Sequence, residues 1–433
     1  VSNSDSHPHV SPAGTAAAHT GLPAPGTPVS IEDHLATILA TVSTTEPVRI
    51  PLAEALGLTL AADVNALVRV PGFDNSAMDG YAVIDTDVAT ASAESPVTLL
   101  VVADLAAGTD EDPLLVPGQA ARIMTGAPMP AGATAIVPVE DTDGGVETVT
   151  ITRPAAAGAH LRLAGGDVEP GGLVLTAGDE VTARHIAAAA STGHADLMVY
   201  PAPRVGVLST GSELVKAGEP LKHGQIHDSN SLMLAALVTA AGATAVHLGS
   251  VSDDEAEFER ILADNAHRVD AFLLSGGVSV GAYDVVKAVL SRMGSVRFVR
   301  VPMQPGKPQG FGVWADGTPI FGLPGNPVSA FVSFEVFVRP ALRTMMGCRE
   351  PQRALVPAVA AVGWRTPPGR RQYIPVTIHA EKGVSPAVRP SAAGGSGSHL
   401  VASLAAADAL AVVEADVDEV RAGDTVTVML VRP

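Results

Sequence analysis

The chain has 433 residues, 47% apolar and 17% charged, with 45 Asp and Glu against 27 Lys and Arg and a formal charge of −18. This length predicts roughly three domains rather than one core, and the acidic balance argues against a broad nucleic-acid or anionic-lipid surface. The single Cys348 excludes an intrachain disulfide framework and a multi-cysteine metal site, and it fits a reducing compartment.

Residues 1–27 are rich in Ser, Pro, Ala, Gly and His without an apolar period, which predicts a disordered tail. His7, His9 and His19 are read there as solvated side chains rather than metal ligands. Ser30 with Asp33 three residues on is a capping signature. The helix it opens carries Ile31, Leu35, Ile38, Leu39 and Val42 on one face. "PLAEALG" predicts a second short helix ended by Gly57. From 65 to 158, short apolar runs such as "VTLLVVADL", "AARIMTG" and "VETVTITR" alternate with Gly, Pro and Asp, the pattern of a small β-rich domain. Residues 159–200 are of mixed character, with a helix at "TARHIAAAAST".

Beyond 203 a regular alternation begins: "RVGVLST", "TAVHLGSV", "AFLLSGG", "VRFVRVPM" and "PIFGLPG" as strands, with helical patterns between them. The series predicts an α/β domain with a doubly wound parallel sheet, whose ligands sit at the carboxyl ends of the strands. Past "CREPQ" the pattern returns to β. No apolar run reaches the roughly 18 residues of a membrane helix. The N-terminus lacks the order of a secretion signal, so the expected location is the cytoplasm.

Three loops fall where sheet strands end. Ser209, Thr210 and Gly211 lie in "LSTGSEL". Ser275, Gly276, Gly277, Gly281 and Asp284 lie in "LLSGGVSVGAYD". Pro324, Gly325 and Asn326 lie in "FGLPGNPVSAF". Glycines let backbone amides face a ligand, and helix N-termini present further N–H groups, so together the loops read as an anion cradle suited to phosphates. Tight βα connections are the plainer reading of any one loop. Lys307 in "QPGKPQGFG" is framed by Gly and Pro, as a side chain aimed at an anion would be, although an exposed turn lysine looks the same. There is no GxxxxGK[ST], GxSxG, HExxH or paired CxxC.

Acids beside turn residues form a second set: Asp74, Asp79, Asp167, Glu213, Asp228, Asp253, Asp254 and Asp284. Carboxylates near phosphates commonly hold a divalent cation. Asp also caps helices and makes turns, and Asp228 and Asp253 suit that role equally well. The knot "VPGFDNSAMDGYAV" around Asp74 and Asp79 is polar throughout.

"PGFDNSAMDGYAV", "RIMTGAPMPAGATAIVP", "VGVLSTGSEL", "GQIHDSN", "SGGVSVGAYD", "PGKPQGFG" and "GLPGNPVSAF" occur in that order. Together they resemble the molybdopterin molybdenumtransferases, the bacterial MoeA family, which is similar to the E domain of gephyrin. The resemblance runs from about residue 28 to the end. It implies an elongated homodimer of multidomain α/β chains, the parts being 28–64 with 159–200, an inserted β-rich 65–158, a molybdopterin-binding 201–348 and a C-terminal β-domain 349–433. It implies that adenylylated molybdopterin and molybdate, with Mg²⁺ or another divalent cation, give molybdenum cofactor and AMP. It places Asp74, Thr125 and Glu213 in catalysis, and Asp74, Asp167, Glu213 and Asp253 or Asp254 at the metal. Ser209, Thr210, Gly211, Asp228 and the other loop residues would hold the pterin substrate. Lys307, Pro308, Ser329, Arg370 and Ser398 would hold molybdate. An adenylyltransferase partner and recipient molybdoenzymes are further implied.

Two positions depart from the family pattern. Gln304 replaces a common lysine, which leaves the molybdate site weaker or reliant on Arg371, and Gly166 replaces an acid. The sheet domain alone also resembles a molybdopterin adenylyltransferase, and a non-catalytic carrier or scaffold is the reading of another class.

Overall fold

The computed structural model describes residues 28–277, 285–379, 386–392 and 400–431. The chain divides into two compact units: one joins the segment up to Thr45 with the chain from Pro201 onwards, and the other is Glu46–Tyr200.

The first unit is built on a six-stranded sheet in the order Thr244–Val251, Arg204–Thr210, Ala271–Ser275, Pro319–Leu323, Pro308–Val313, Val296–Arg300. The first four strands run parallel. Pro308–Val313, part of the segment read from sequence only as a lysine-bearing loop, is an added strand antiparallel to both its neighbours. Side chains alternate between two cores, as strand geometry requires. Val205, Val207, Leu273 and Phe321 pack under helices Ile31–Thr41, Asn230–Ala240 and Pro327–Ser333. Leu208, Phe272, Leu274 and Ile320 pack under Glu255–Asn265 and Val285–Met293. Helices on both faces make the sheet doubly wound, as expected.

Ser30 caps the first helix, its Oγ accepting from the Asp33 amide at 3.0 Å. Ile31 and Ile38 seat this helix in the core that also holds Phe337 and Leu342, so it packs with the sheet unit and not with 159–200. His34 lies on the same buried face, its ring edge-on to Phe337 at 4.8 Å between centroids. The long helix predicted after Pro327 is continuous but passes through a π turn at Phe334–Val338. This turn buries Glu335 against Arg353, an ion pair of 2.9 Å.

Strands Leu355–Ala360, Arg371–His379, Ala387–Pro390, Ala409–Val413 and Thr425–Leu430 form a sheet that closes on itself, because Arg371–His379 pairs with both Ala387–Pro390 and Ala409–Val413. The short strand Met303–Gln304 adds to it through Met303 opposite Arg371 and Gln304 opposite Gln372. The small β barrel is thereby bonded to the loop that carries Lys307.

The second unit contains a five-stranded sheet, Ala135–Pro138, Gly80–Val83, Gln119–Ile123, Val97–Leu105 and Thr148–Ile151, with apolar clusters around Tyr81 and Ile123. A three-stranded sheet, Val48–Pro51, Asp196–Tyr200 and Thr59–Leu60, accompanies helix Ala183–Ser191. The helix predicted at "PLAEALG" is a single 3₁₀ turn, Leu52–Glu54. Ala55 follows it into the apolar cluster, and Gly57, at φ of +79°, donates its amide to the Val181 carbonyl and ends the segment. Among the described residues, no helix is long and apolar enough to cross a membrane.

Candidate active site

In the sheet unit, three loops at the carboxyl edge are held by side-chain hydrogen bonds. Ser209, 1% exposed, donates to Asp228 Oδ1 at 3.2 Å, and the same oxygen accepts from the Ser231 amide at 3.0 Å. Thr210 Oγ1 donates to the Ser275 carbonyl at 3.4 Å. The Gly276 amide donates to the Leu323 carbonyl at 3.1 Å. Gly276 has φ of +93°, and a Cβ there would lie 2.5 Å from the Thr210 carbonyl oxygen. Glycine is required at this close approach.

The acids near the first loop divide by role. Ser212 Oγ donates to Asp253 Oδ2 at 2.6 Å, which draws Asp253 onto the turn that carries Glu213. The Glu213 carboxylate folds back over Gly211, where an added Cβ would meet it at 2.5 Å. Asp254 instead caps helix Glu255–Asn265, one oxygen accepting from the amides of Ala256 and Glu257. The metal role expected of Asp253 or Asp254 thus has a competing structural use at Asp254.

The Lys307 turn is fixed from beneath. Gln309, 1% exposed, donates through Nε2 to the Gly306 carbonyl at 2.6 Å and to Ser333 Oγ at 2.7 Å. Ser329 lies one helical turn before Ser333 and is 4% exposed. Arg370 is half-buried and sits two residues from Gln372, next to the strand that contains Gln304. Arg371 is committed elsewhere, to Glu32 at 2.6 Å and Glu414 at 2.8 Å. Burial opposes its charge, but hydrogen bonds to Glu32 and Glu414 outweigh that and raise its pKa, while the same contact holds the Glu32 carboxyl below its usual range. It is therefore not a ready substitute for a lysine at position 304.

In the second unit the knot is a pinned turn. The Val70 carbonyl accepts from the Asp167 and Val168 amides, and the Pro71 carbonyl from Gly165. Asn75–Ser76 pairs antiparallel with Leu161–Arg162. Asp74 Oδ1 accepts from the Ala164 amide at 2.7 Å, and its carbonyl from the Met129 amide at 2.9 Å. Asp79 Oδ1 accepts from the Thr125 amide at 2.7 Å and from its hydroxyl at 2.8 Å. These two bonds hold the Asp79 carboxyl below its usual pKa. Asp74, Asp79, Thr125 and Asp167 are all exposed on this unit, so the carboxylates are anchored yet open to solvent.

Three family models match in order: the MoeA N-terminal region over residues 29–193, a probable molybdopterin-binding domain over 206–344, and the MoeA C-terminal region over 357–431. Molybdopterin molybdenumtransferase 2 of Mycobacterium tuberculosis is 47% identical over 91% of this chain and 97% of its own length. The chain belongs to the molybdopterin molybdenumtransferase family. The relative from Bacillus subtilis is 33% identical over 94% of this chain and 95% of its own. The crystal structure of the MoeA protein from Pyrococcus horikoshii superimposes with a TM-score of 0.80 at 30% identity, covering 94% of this chain and all of that one.

The residues that the family pattern singles out therefore fall on both units. Glu213, Asp253, the three loops, Lys307, Pro308, Ser329 and Arg370 belong to the sheet unit, and Asp74, Thr125 and Asp167 to the other. Gly281, Asp284 and Ser398 lie outside the described residues, as do His7, His9 and His19. Sequence reasoning missed Asn230, Gln309 and Ser333, the buried amides and hydroxyl that brace the loops. Their one signal is position: Asn230 follows "IHDS", and Gln309 follows "GKP".

Proposed function

We propose that this chain inserts molybdenum into molybdopterin, taking adenylylated molybdopterin and molybdate to molybdenum cofactor and AMP. The observation that carries the reading is the near-full-length match to proteins named molybdopterin molybdenumtransferase. The braced three-loop edge and the exposed, pinned Asp74 suit that chemistry. Water attacks phosphorus, the P–O–P bridge breaks, and AMP leaves with the bridging or attacking oxygen, with no change of phosphorus oxidation state. Molybdate gives up oxygen as water and is taken up by the two dithiolene sulfurs.

Each part of the chain has a role in this reading. Backbone amides at Gly277 and Gly325 offer neutral donors to phosphate oxygens, which an acidic protein needs in place of a basic surface. Lys307 and Arg370, with hydroxyls from Ser329 and Ser398, bind the molybdate dianion. Asp74, set on its turn by Ala164, orients water or cation at the scissile phosphate.

Among the described residues, no three His, Cys, Asp or Glu side chains cluster closely enough to hold a metal alone. A Mg²⁺ ion would accordingly be held at the sheet edge by Glu213 and Asp253 together with substrate phosphate oxygens and water. That donor set fits Mg²⁺, which keeps several waters and uses few carboxylates. Bound there, the cation would neutralise charge developing on the phosphates.

The proposal includes a cytoplasmic homodimer in which one chain's knot serves the other chain's sheet edge. It also includes the division into parts 46–64 with 159–200, 65–158, 201–348 with the first helix, and 349–433, and hand-over from an adenylyltransferase and on to recipient molybdoenzymes. An adenylyltransferase activity is not favoured, because the matched N-terminal and C-terminal regions flank the sheet domain. The deciding experiment is AMP release from adenylylated molybdopterin with and without molybdate and Mg²⁺. Dependence on both is expected, and tight pterin binding without AMP release would favour a carrier instead.

A further inference from the structure

One short segment ties all three cradle loops together. Asp228 accepts from Ser209 of the first loop at 3.2 Å. Two residues on, Asn230 Nδ2 donates to Ser275 Oγ of the second loop at 2.7 Å and to the Gly325 carbonyl of the third at 2.7 Å. Asn230 is the first residue of helix Asn230–Ala240 and is 8% exposed.

Chemistry fixes the orientation of this amide. A carbonyl oxygen can only accept, so the group that faces Gly325 must be the NH₂. Both of its hydrogens are then committed, one to each loop. The cost is visible on the other side, where Asn230 Oδ1 is buried without a hydrogen-bond partner among the described residues. An orphaned buried acceptor destabilises a fold, and an apolar side chain at this place would avoid it. Packing alone therefore does not account for asparagine here, whereas bridging two loops does.

The bridged loops need such a tie. Gly276 and Gly325 approach closely, a Cβ on Gly325 lying 3.5 Å from the Gly276 Cα. Both are glycines, whose backbones are the most costly to order. Fixing their separation before substrate arrives lowers the ordering that binding must supply.

We infer that Asn230 is a positioning residue for the transferase reaction: it holds the Ser275–Gly277 and Pro324–Asn326 loops at the spacing that the phosphate-bearing substrate requires. The inference rests on the reading of this edge as the substrate cradle. Asn230 acts through Ser275 and Gly325 and touches no reacting atom.

The test has a ligand-free arm and a kinetic arm, with Asn230→Asp, Asn230→Ala and Ser275→Ala. Asn230→Asp keeps the shape but loses both N–H donors and sets an acceptor against the Gly325 carbonyl. If the buried carboxylate prevents folding, Asn230→Ala carries the test. In the ligand-free protein, amide hydrogen exchange at 275–277 and 325–326 should rise about tenfold, together, while strand 271–274 is unchanged. In AMP release, KM for adenylylated molybdopterin should rise about tenfold with kcat within about twofold. Adding Ser275→Ala to Asn230→Ala should raise KM by less than the product of the single effects, since the two share one bond.

Wild-type exchange at both loops in a folded variant would overturn the inference. So would a strictly multiplicative double variant, or a fall in kcat at constant KM. If the wild-type protein itself releases no AMP, the functional reading falls instead, and the exchange arm still decides whether Asn230 ties the loops.

Discussion

The backbone amide of Ala164 donates to Asp74 Oδ1 at 2.7 Å across 90 residues of sequence. That bond fixes one carboxylate oxygen and leaves the exposed side chain its second oxygen for a ligand. A rigid but solvent-facing acid is what a water- or cation-orienting role asks for. Asp74→Asn retains an acceptor for Ala164 and removes only the charge. AMP release should fall at least about 100-fold, with thermal stability unchanged. Wild-type turnover by a folded Asp74→Asn protein would remove Asp74 from the mechanism.

The close contact at Gly276 predicts a different phenotype. Alanine there meets the Thr210 carbonyl oxygen at 2.5 Å, at a φ of +93°. The loop must distort, at a cost of about 1–3 kcal/mol. Gly276→Ala should lower the melting temperature and weaken pterin binding, both measurable on the purified protein. A variant that binds like wild type would place the substrate elsewhere on the sheet.

His34 predicts a pH dependence of stability. Burial depresses its pKa to about 4 in the folded chain, against 6.5 when exposed. Between these values the unfolded state binds the proton and the folded state excludes it. Stability is therefore highest above about pH 6.5 and is lost as the pH falls towards 4, by about 3 kcal/mol from this group. His34→Leu keeps the contact with Phe337 and should flatten that part of the stability–pH curve. Parallel curves for the two proteins would show that His34 is not the group responsible.

The Glu335–Arg353 pair is a third structural test. The Glu335 side chain is 1% exposed and that of Arg353 15%. Arg353→Ala leaves a buried carboxylate without its partner, which should cost about 3–5 kcal/mol in chemical denaturation. Exchanging both partners for apolar residues should cost far less, because the orphaned charge, rather than the lost attraction, dominates.

At Gln304 the prediction is a gain. This residue pairs in register with Gln372, two places beyond Arg370, and a lysine here would add positive charge near the Lys307 turn. Gln304→Lys should lower KM for molybdate about two- to tenfold at low salt, with the gain shrinking as ionic strength rises. No change in KM would place molybdate away from this loop.

Much of the architecture was legible in the chain itself. The Ser30–Asp33 cap, the period-2 apolar strands and the glycine-ended helices are local signals, set by backbone geometry and by which faces must leave water. The seven motifs carried the family in the same way. Other features were not legible, because contacts distant in sequence decided them. "PLAEALG" has helical composition, but the amides of Leu52 and Gly57 donate to the Ala195 and Val181 carbonyls, and the segment forms one 3₁₀ turn. "PGKPQGFG" looks like a loop, yet its second half pairs with strands on both sides. Arg371 reads as a spare cation until Glu32, 339 residues away, and Glu414 claim it. Asn230 is one polar residue among many in the sequence. Only the fold brings Ser275 and Gly325 within 2.7 Å of it, because hydrogen bonds between loops depend on where the sheet sets their ends, which no local pattern encodes.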